Sequence, residues 1–343
     1  MHHIRLKIAK IIRETRDVKT FVLDSEGQPI SYKAGQYLTF VFDVQGQEVR
    51  RSYSIGSSPV LNEPLSISFK RVTNGVVSRP LFDQAKEGDM LLTTGAAGFF
   101  VLPDRLEKVQ QLFFMAAGSG IVPVFSMVKT ILNTDDAMPV VLVYSNRSEE
   151  ETIYYRELLQ LQQQFAGRFI LQFLFSTSVD LMMARLNKEL VESLVNRYAN
   201  VELQYIRFYV CGPFAYMRMI EMELHTMGVS AEHIRKEQFN TVRTAVRVLP
   251  PDVNEHRVEI MMNDVVHHLQ VQYPVTILEA AKKKGIVLPY SCEVGKCGSC
   301  AALCVEGNVW MMNNEVLLND EIRKGFVLTC CGFPVGGNVV LQL

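Results

Sequence analysis

The chain has 343 residues, of which 48% are apolar and 21% charged, with a formal net charge of −1. This is the composition of a globular chain long enough for two or three domains. The near-zero charge leaves no bulk electrostatic case for binding nucleic acid or an anionic membrane.

The opening residues lack the basic start, apolar run and small-residue end of an export signal, so a cytoplasmic location is expected. Residues 1–103 read as β structure. Short runs at Phe21–Leu23, Tyr37–Phe42 and Leu65–Phe69 are parted by turn residues such as Glu26-Gly27 and Glu87-Gly88-Asp89. That spacing predicts a small antiparallel barrel. The pattern changes over residues 104–241. Gln111–Ala117 is a continuous apolar strand, as in a sheet buried on both faces. The apolar stretch Leu112–Phe125 is broken by Gly118, Ser119, Gly120 and Pro123 and is too short to span a bilayer. Pro123–Asn133 places Val124, Phe125, Val128, Ile131 and Leu132 on one helical face. Val140–Tyr144, Phe169–Phe175 and Arg207–Val210 read as further strands, with Tyr154–Phe165 among the intervening helices. Strand–helix alternation predicts a parallel sheet covered on both sides. Residues 242–256, with Leu249-Pro250-Pro251-Asp252, read as a linker. The last stretch, 257–343, predicts a hairpin (257–273), a short helix (Ile277–Lys284) and a cysteine-rich loop.

Six of the seven cysteines lie after residue 290. Without an export signal, metal ligation is the better reading than a disulfide framework. Cys292, Cys297 and Cys300 have the spacing C-x4-C-x2-C, and Cys330 follows downstream, which is the plant-type [2Fe–2S] ligand spacing. Gly295 and Gly298 permit the tight wrap that aims backbone N–H groups at cluster sulfurs, and Ser291 and Ser299 can add donors. A zinc ribbon needs two C-x2-C pairs, and only Cys297/Cys300 forms one. Cys304 and Cys331 fall outside the pattern and read as small buried residues.

Tyr290-Ser291-Cys292 through Cys300, with Gly325 to Cys330, resembles a plant-type ferredoxin across the whole C-terminal domain. The resemblance implies a β-grasp fold. Free plant ferredoxins are strongly acidic, whereas residues 257–343 hold seven Lys/Arg and eight Asp/Glu, a balance of 7 − 8 = −1. Docking by a broad acidic face is not expected.

Arg51-Ser52-Tyr53-Ser54 at a strand end and Gly75-Val76-Val77-Ser78 at a helix start are each weak signals alone. Together, in a β-barrel ahead of an α/β domain, they resemble the ferredoxin–NADP⁺ reductase superfamily, as does Gly35-Gln36-Tyr37. The resemblance implies FAD, with FMN as the alternative. Arg51 would neutralise the pyrophosphate, Tyr53 would lie against the isoalloxazine, and Ser54 would reach flavin N5. The turn at Gly75, Val77 and Ser78 would take a phosphate.

Gly118-Ser119-Gly120-Ile121-Val122-Pro123 follows a buried strand and opens a helix, with Pro123 suited to the first helical position. Such a turn can cradle a pyrophosphate or simply join strand to helix. The resemblance favours the former. It also implies that Cys211, in Cys211-Gly212-Pro213, lies beside the nicotinamide. The bland alternative for Cys211 is a core cysteine before a turn. Glu237 and Phe239, in Glu237-Gln238-Phe239-Asn240, are implied to meet the flavin. Ser145 and Arg147 after the second strand, with Arg156, suit a 2′-phosphate, so NADPH is expected over NADH. Glu149-Glu150-Glu151 argues the other way.

The fold class expected is therefore multidomain, β + α/β + α+β. It combines an antiparallel flavin-binding barrel, a parallel nucleotide-binding α/β domain and a ferredoxin domain. Nicotinamide gives electrons in pairs and the cluster takes them singly, so the flavin would stand between them. No residues fit terminal oxygen chemistry, so the acceptor is expected to be another protein. The domain order resembles reductase components of multicomponent oxygenases, most of all the phenylacetyl-CoA epoxidase type serving a di-iron oxygenase in aromatic catabolism. Reductases of ketosteroid or Rieske oxygenases and of hybrid-cluster proteins share the layout. Two readings outside catalysis are a redox-sensing interaction module with little turnover and a zinc-stabilised binding protein.

Overall fold

The computed structural model describes residues 3–103, 106, 108–135, 137–180, 183–239 and 248–343. They form two compact units, one running from His3 to Gln238 and one beginning at Phe239.

The first unit opens with strands β1 (Ile4–Arg13), β2 (Val18–Asp24), β3 (Tyr37–Val44), β4 (Gln47–Ser54) and β5 (Ser66–Lys70). Helix α1 (Ser78–Gln84) and strand β6 (Met90–Ala97) follow. They form one antiparallel sheet in the order β4-β3-β6-β1-β2-β5. An Ile55–Ile67 bridge joins the two flanks and closes the sheet into a barrel. Leu6 and Ile8, two apart on β1, are fully buried with Phe21, Leu38, Phe40 and Ile67, as a period of two requires. Gly35, at φ +94°, enters β3 where a Cβ would lie 2.0 Å from the Phe100 carbonyl oxygen, so only glycine fits.

The same unit continues with β7 (Gln111–Ala117), α2 (Ile121–Thr134), β8 (Val140–Asn146), α3 (Tyr155–Gln164) and β9 (Phe169–Phe175). Then come α4 (Lys188–Tyr198), β10 (Ile206–Cys211), α5 (Phe214–Thr226) and β11 (Ile234–Glu237). The strands are parallel in the order β11-β10-β7-β8-β9. Alternate residues of β7 serve opposite cores. Leu112, Phe114 and Ala116 pack with α2 and α3, and Phe113 and Met115 pack with α4 and α5. A strand buried on both faces reads as an unbroken apolar run for this reason.

Buried hydroxyls join the barrel to this layer. Ser58 Oγ lies 2.7 Å from Thr130 Oγ1, and Ser126 Oγ donates to the Ser57 carbonyl at 2.6 Å. The Tyr154 hydroxyl bonds Ser68, and its ring stacks on Phe125 at 4.2 Å. Tyr154 adopts φ +59°, so α3 starts at Tyr155, one residue later than periodicity predicts.

The second unit contains β12 (His256–Met262), β13 (Val265–Val271), α6 (Ile277–Lys283), β14 (Ala301–Glu306) and β15 (Val309–Met311). It ends with α7 (Asn319–Arg323), β16 (Phe326–Leu328), β17 (Gly332–Pro334) and β18 (Val339–Gln342). Its main sheet runs β13-β12-β18-β14-β16, with β12 and β18 parallel at the centre. Helix α6 buries Ile277, Leu278 and Ala281. This is the β-grasp arrangement. The β12–β13 hairpin turns on Asn263 and Asp264, both at positive φ (51° and 61°), as a two-residue primed turn requires. Thr276 and Glu279 form a reciprocal capping box on α6.

Part of the expected linker, residues 242–247, lies outside the described residues. Its last residues are fastened to the second unit. The Asp252 carboxylate accepts from the N–H groups of Asn254 and Gly336, each at 2.9 Å, and from His256 Nε2 at 2.6 Å. Cys331 is buried as expected, but Cys304 is only partly so. It stands on a strand at a register shift, where its thiol donates to the carbonyls of Glu306 and Gly307.

Candidate flavin, nicotinamide and iron–sulfur sites

In the second unit, the segment from Ser291 to Cys300 links α6 to β14, and Cys330 lies in the turn between β16 and β17. Gly295 and Gly298 adopt φ +76° and +80°, and a Cβ on Gly295 would meet the Asn313 carbonyl oxygen at 2.6 Å. The four thiols pair off: Cys292 contacts Cys297, and Cys300 contacts Cys330. Hydrogen bonding to Cys292 pulls the Cys297 thiol down, and the same contact pushes Cys292 up. Backbone N–H groups converge on the sulfurs. Val294 donates to Cys292 at 3.5 Å, Ser299 to Cys297, Cys330 to Cys300 and Gly295 to Cys330. Among the described residues no three donors converge as a single ion would need. A two-iron cluster with four thiolates needs two per iron, and the pairwise arrangement supplies that.

In the barrel, Arg51, Tyr53 and Ser54 end β4. Arg51 is exposed, Tyr53 half-buried and Ser54 buried. The Tyr53 ring rests 5.3 Å from that of Phe69, and burial pushes its phenol up to about 12, opposed by the charge of Arg51. Gly75 and Val77 precede α1, whose first residue is Ser78. The Ser78 hydroxyl accepts the Val72 N–H at 3.2 Å, and a Cβ on Gly75 would lie 2.2 Å from it. Gly75 is thus the residue that lets the turn close on Ser78.

In the α/β layer, Gly118–Gly120 forms a 3-10 turn and α2 begins at Ile121. Pro123 is therefore the third helical residue, not the first as expected. The position is tolerated because first-turn N–H groups have no intrahelical partner. A Cβ on Gly120 would meet the Cys211 carbonyl oxygen at 2.3 Å and the Gly212 nitrogen at 2.9 Å. The two glycine motifs thus touch where β7 and β10 end side by side. In this sheet α2 and α3 cover one face and α4 and α5 the other, so the sheet's switch point lies there. Pro213 caps α5.

Cys211 is fully buried between Ala116 on β7 and Glu237 on β11. Burial pushes its thiol well up, and the Glu237 carboxylate adds to the effect. Ser145 is the penultimate residue of β8, opposite Ala117. Arg147 is exposed and pairs with Glu151 at 3.7 Å, and Arg156 is exposed on α3. Phe239 is half exposed at the start of the second unit. Asn240, the last residue of its motif, lies outside the described residues.

Tyr216 escapes the sequence reading. Its hydroxyl donates to the Ala116 carbonyl at 3.1 Å, and its ring would lie 3.0 Å from a Cβ on Gly212. It ties together the ends of β7 and β10. The only sequence signal is its place one helical turn after Gly212.

Comparison with known proteins agrees with this geometry. Residues 4–101 match the "Oxidoreductase FAD-binding domain" family, 114–222 the "Oxidoreductase NAD-binding domain" and 260–335 the "2Fe-2S iron-sulfur cluster binding domain". The glycine betaine monooxygenase reductase subunit of Pseudomonas aeruginosa is 30% identical, over 98% of this chain and 94% of that protein. A 1,2-phenylacetyl-CoA epoxidase subunit of Escherichia coli is 30% identical, over 98% and 96%. The ferredoxin reductase component of 3-ketosteroid-9-alpha-monooxygenase from Rhodococcus rhodochrous gives the same figures, 30%, 98% and 96%. Among solved structures, phthalate dioxygenase reductase shares the fold, with a TM-score of 0.61 at 24% identity, over 99% of this chain and 98% of that one.

These sites define an NAD(P)H-dependent oxidoreductase that moves electrons through FAD and a [2Fe–2S] cluster. The chain belongs to the ferredoxin–NADP⁺ reductase-type proteins with a C-terminal [2Fe–2S] domain, the reductase components of oxygenase systems. Among the described residues no helix is long and apolar enough to cross a membrane.

Proposed function

We propose that this chain is a cytoplasmic reductase component that delivers electrons to a di-iron epoxidase of the phenylacetyl-CoA type. The observation that carries the electron-delivery reading is the two-plus-two pairing of Cys292/Cys297 and Cys300/Cys330 under backbone donors. The choice of acceptor rests on likeness along the whole chain to the phenylacetyl-CoA epoxidase relative. Equal identity to the betaine and ketosteroid reductases supports those oxygenases as the second reading.

The bound cofactors supply hydride acceptance and one-electron transfer; the chain binds, orients and shields. Residues 1–103 hold FAD, 104–241 hold the nicotinamide nucleotide, 242–256 link, and 257–343 hold the cluster. Arg51 neutralises the flavin pyrophosphate, and the turn at Gly75, Val77 and Ser78 offers it N–H and hydroxyl donors. Tyr53 would pack against the isoalloxazine, and the Ser54 hydroxyl would hydrogen-bond near its N5. Gly118, Gly120, Pro123, Gly212 and Pro213 shape the crevice for the dinucleotide. Cys211 and Glu237 orient the nicotinamide. Ser145, Arg147 and Arg156 take the 2′-phosphate of NADPH.

Anaerobic titration with NADPH and then NADH, followed by absorption, tests the path and the donor. Flavin bleaching followed by cluster bleaching is expected, at lower NADPH than NADH. Electron delivery to a purified di-iron epoxygenase tests the acceptor. Failure there, with success on a Rieske, betaine or ketosteroid oxygenase, overturns the epoxidase assignment.

A further inference from the structure

The second unit carries a sulfur beside the ligand set that the four-thiolate reading leaves without a task. Cys331 follows Cys330 directly and is 2% exposed. Its thiol donates to the Asn313 carbonyl at 2.8 Å. The Cys331 carbonyl accepts the Met312 N–H at 2.9 Å, so the two chain segments clasp each other from both sides.

Asn313 is in turn bonded to the ligand loop. Its Nδ2 donates to the Val294 carbonyl at 2.7 Å. A nearby peptide is held as well, since the Glu315 N–H donates to the Gly295 carbonyl at 2.9 Å. The Val294 N–H in turn donates to the sulfur of Cys292 at 3.5 Å. A Cβ on Gly295 would lie 3.2 Å from the Cys331 sulfur, so the thiol packs directly over that glycine. The chain of contacts runs from Cys331 through Asn313 to Val294, and ends on the ligand sulfur of Cys292.

We propose that Cys331 is a positioning residue whose thiol, through Asn313, holds the Val294 N–H on the Cys292 sulfur and so raises the reduction potential of the cluster. The proposal rests on the reading of Cys292 and Cys330 as ligands. The physics is that of an outer-shell hydrogen bond. A donor aimed at a ligand sulfur favours the more negative, reduced state, and loosening it lowers the potential. Cysteine suits the position because it is small enough to lie over Gly295 and still has an S–H to donate.

The test uses the full-length, cluster-loaded protein with Cys331→Ala, Cys331→Ser and Cys330→Ala variants. Midpoint potential, electron paramagnetic resonance g-values and iron content are read. Cys331→Ala is expected to keep its iron and lower the reduced-to-oxidised ratio at fixed potential about tenfold, about 59 mV for one electron. Cys331→Ser, which keeps a donor, is expected to fall between it and the parent. Asn313→Ala is expected to shift the potential the same way, with Cys331→Ala adding little on top. Unchanged potential and g-values in Cys331→Ala overturn the proposal. So does a serine variant displaced as far as the alanine one, or iron loss in both. Cys330→Ala separates the two readings. If it keeps the native signal while Cys331→Ala loses it, the ligand assignment is wrong. If it loses the signal and Cys331→Ala matches the parent, only the positioning role fails.

Discussion

Gly120 and Cys211 are packed so closely that a single methyl group at the glycine would overlap the Cys211 carbonyl, with 2.3 Å between them. Gly120→Ala is expected to push the two turns apart and lower stability by about 1–3 kcal/mol. The crevice between β7 and β10 would change shape. KM for the nicotinamide nucleotide should rise, with FAD content unchanged. Steady-state kinetics with ferricyanide as acceptor, beside a flavin:protein ratio, checks both.

Replacing Cys300 by serine should separate the two halves of the electron path. Cluster absorption is lost. NAD(P)H-to-ferricyanide turnover, which needs only the first unit, stays near the parent rate. Delivery to a one-electron protein acceptor such as cytochrome c should fall by about 10–100-fold, the size seen when a metal shell is damaged. Loss of ferricyanide turnover as well would count against the division of labour.

Arg147 is exposed and engages Glu151 at 3.7 Å, a pair in water that contributes little on its own. Its expected task is a charge-assisted bond to the 2′-phosphate, a class worth about 1.5–3 kcal/mol. Arg147→Ala should therefore raise KM for NADPH by about tenfold or more and leave NADH unaffected. Equal changes for both donors would remove the basis for NADPH preference.

Asp252 gives a pH signature. N–H donors from Asn254, then Gly336, then the His256 ring hold its carboxyl well below the ordinary range. A depressed folded-state value means its stabilisation is complete above the unfolded carboxyl value, about 3.9, and is lost progressively as pH falls from there through the lower folded-state value. Asp252→Asn should lower the urea midpoint of the second unit at pH 7, and the gap from the parent should narrow progressively as pH falls below about 4. Trp310, the chain's single tryptophan, lies in that unit and reports the transition by fluorescence.

The sequence makes the elements plain wherever burial is one-sided or total. Gln111–Ala117 and Phe169–Phe175 fall on the observed strands to the residue, because both faces of β7 are core and β9 keeps a long apolar run. Boundaries slip where tertiary contacts decide. Tyr154 leaves helical geometry to stack on Phe125, and α2 starts early because Gly118–Gly120 already coils. The cluster ligands are legible because thiolate spacing is dictated by the iron. Tyr216 and Asn313 are not, because each acts through a carbonyl brought near only by folding.

The hydroxyl pairs between Ser58 and Thr130 and between Ser126 and the Ser57 carbonyl bear on how this chain can be recombined. A cut near residue 103 would strip these groups of their partners and bare the Phe125–Tyr154 stack to water. Flavin and nicotinamide modules must therefore travel together when chimaeras are built. The joint after Gln238 divides two compact units, so the iron–sulfur module is the part to exchange when redirecting the chain to a new acceptor.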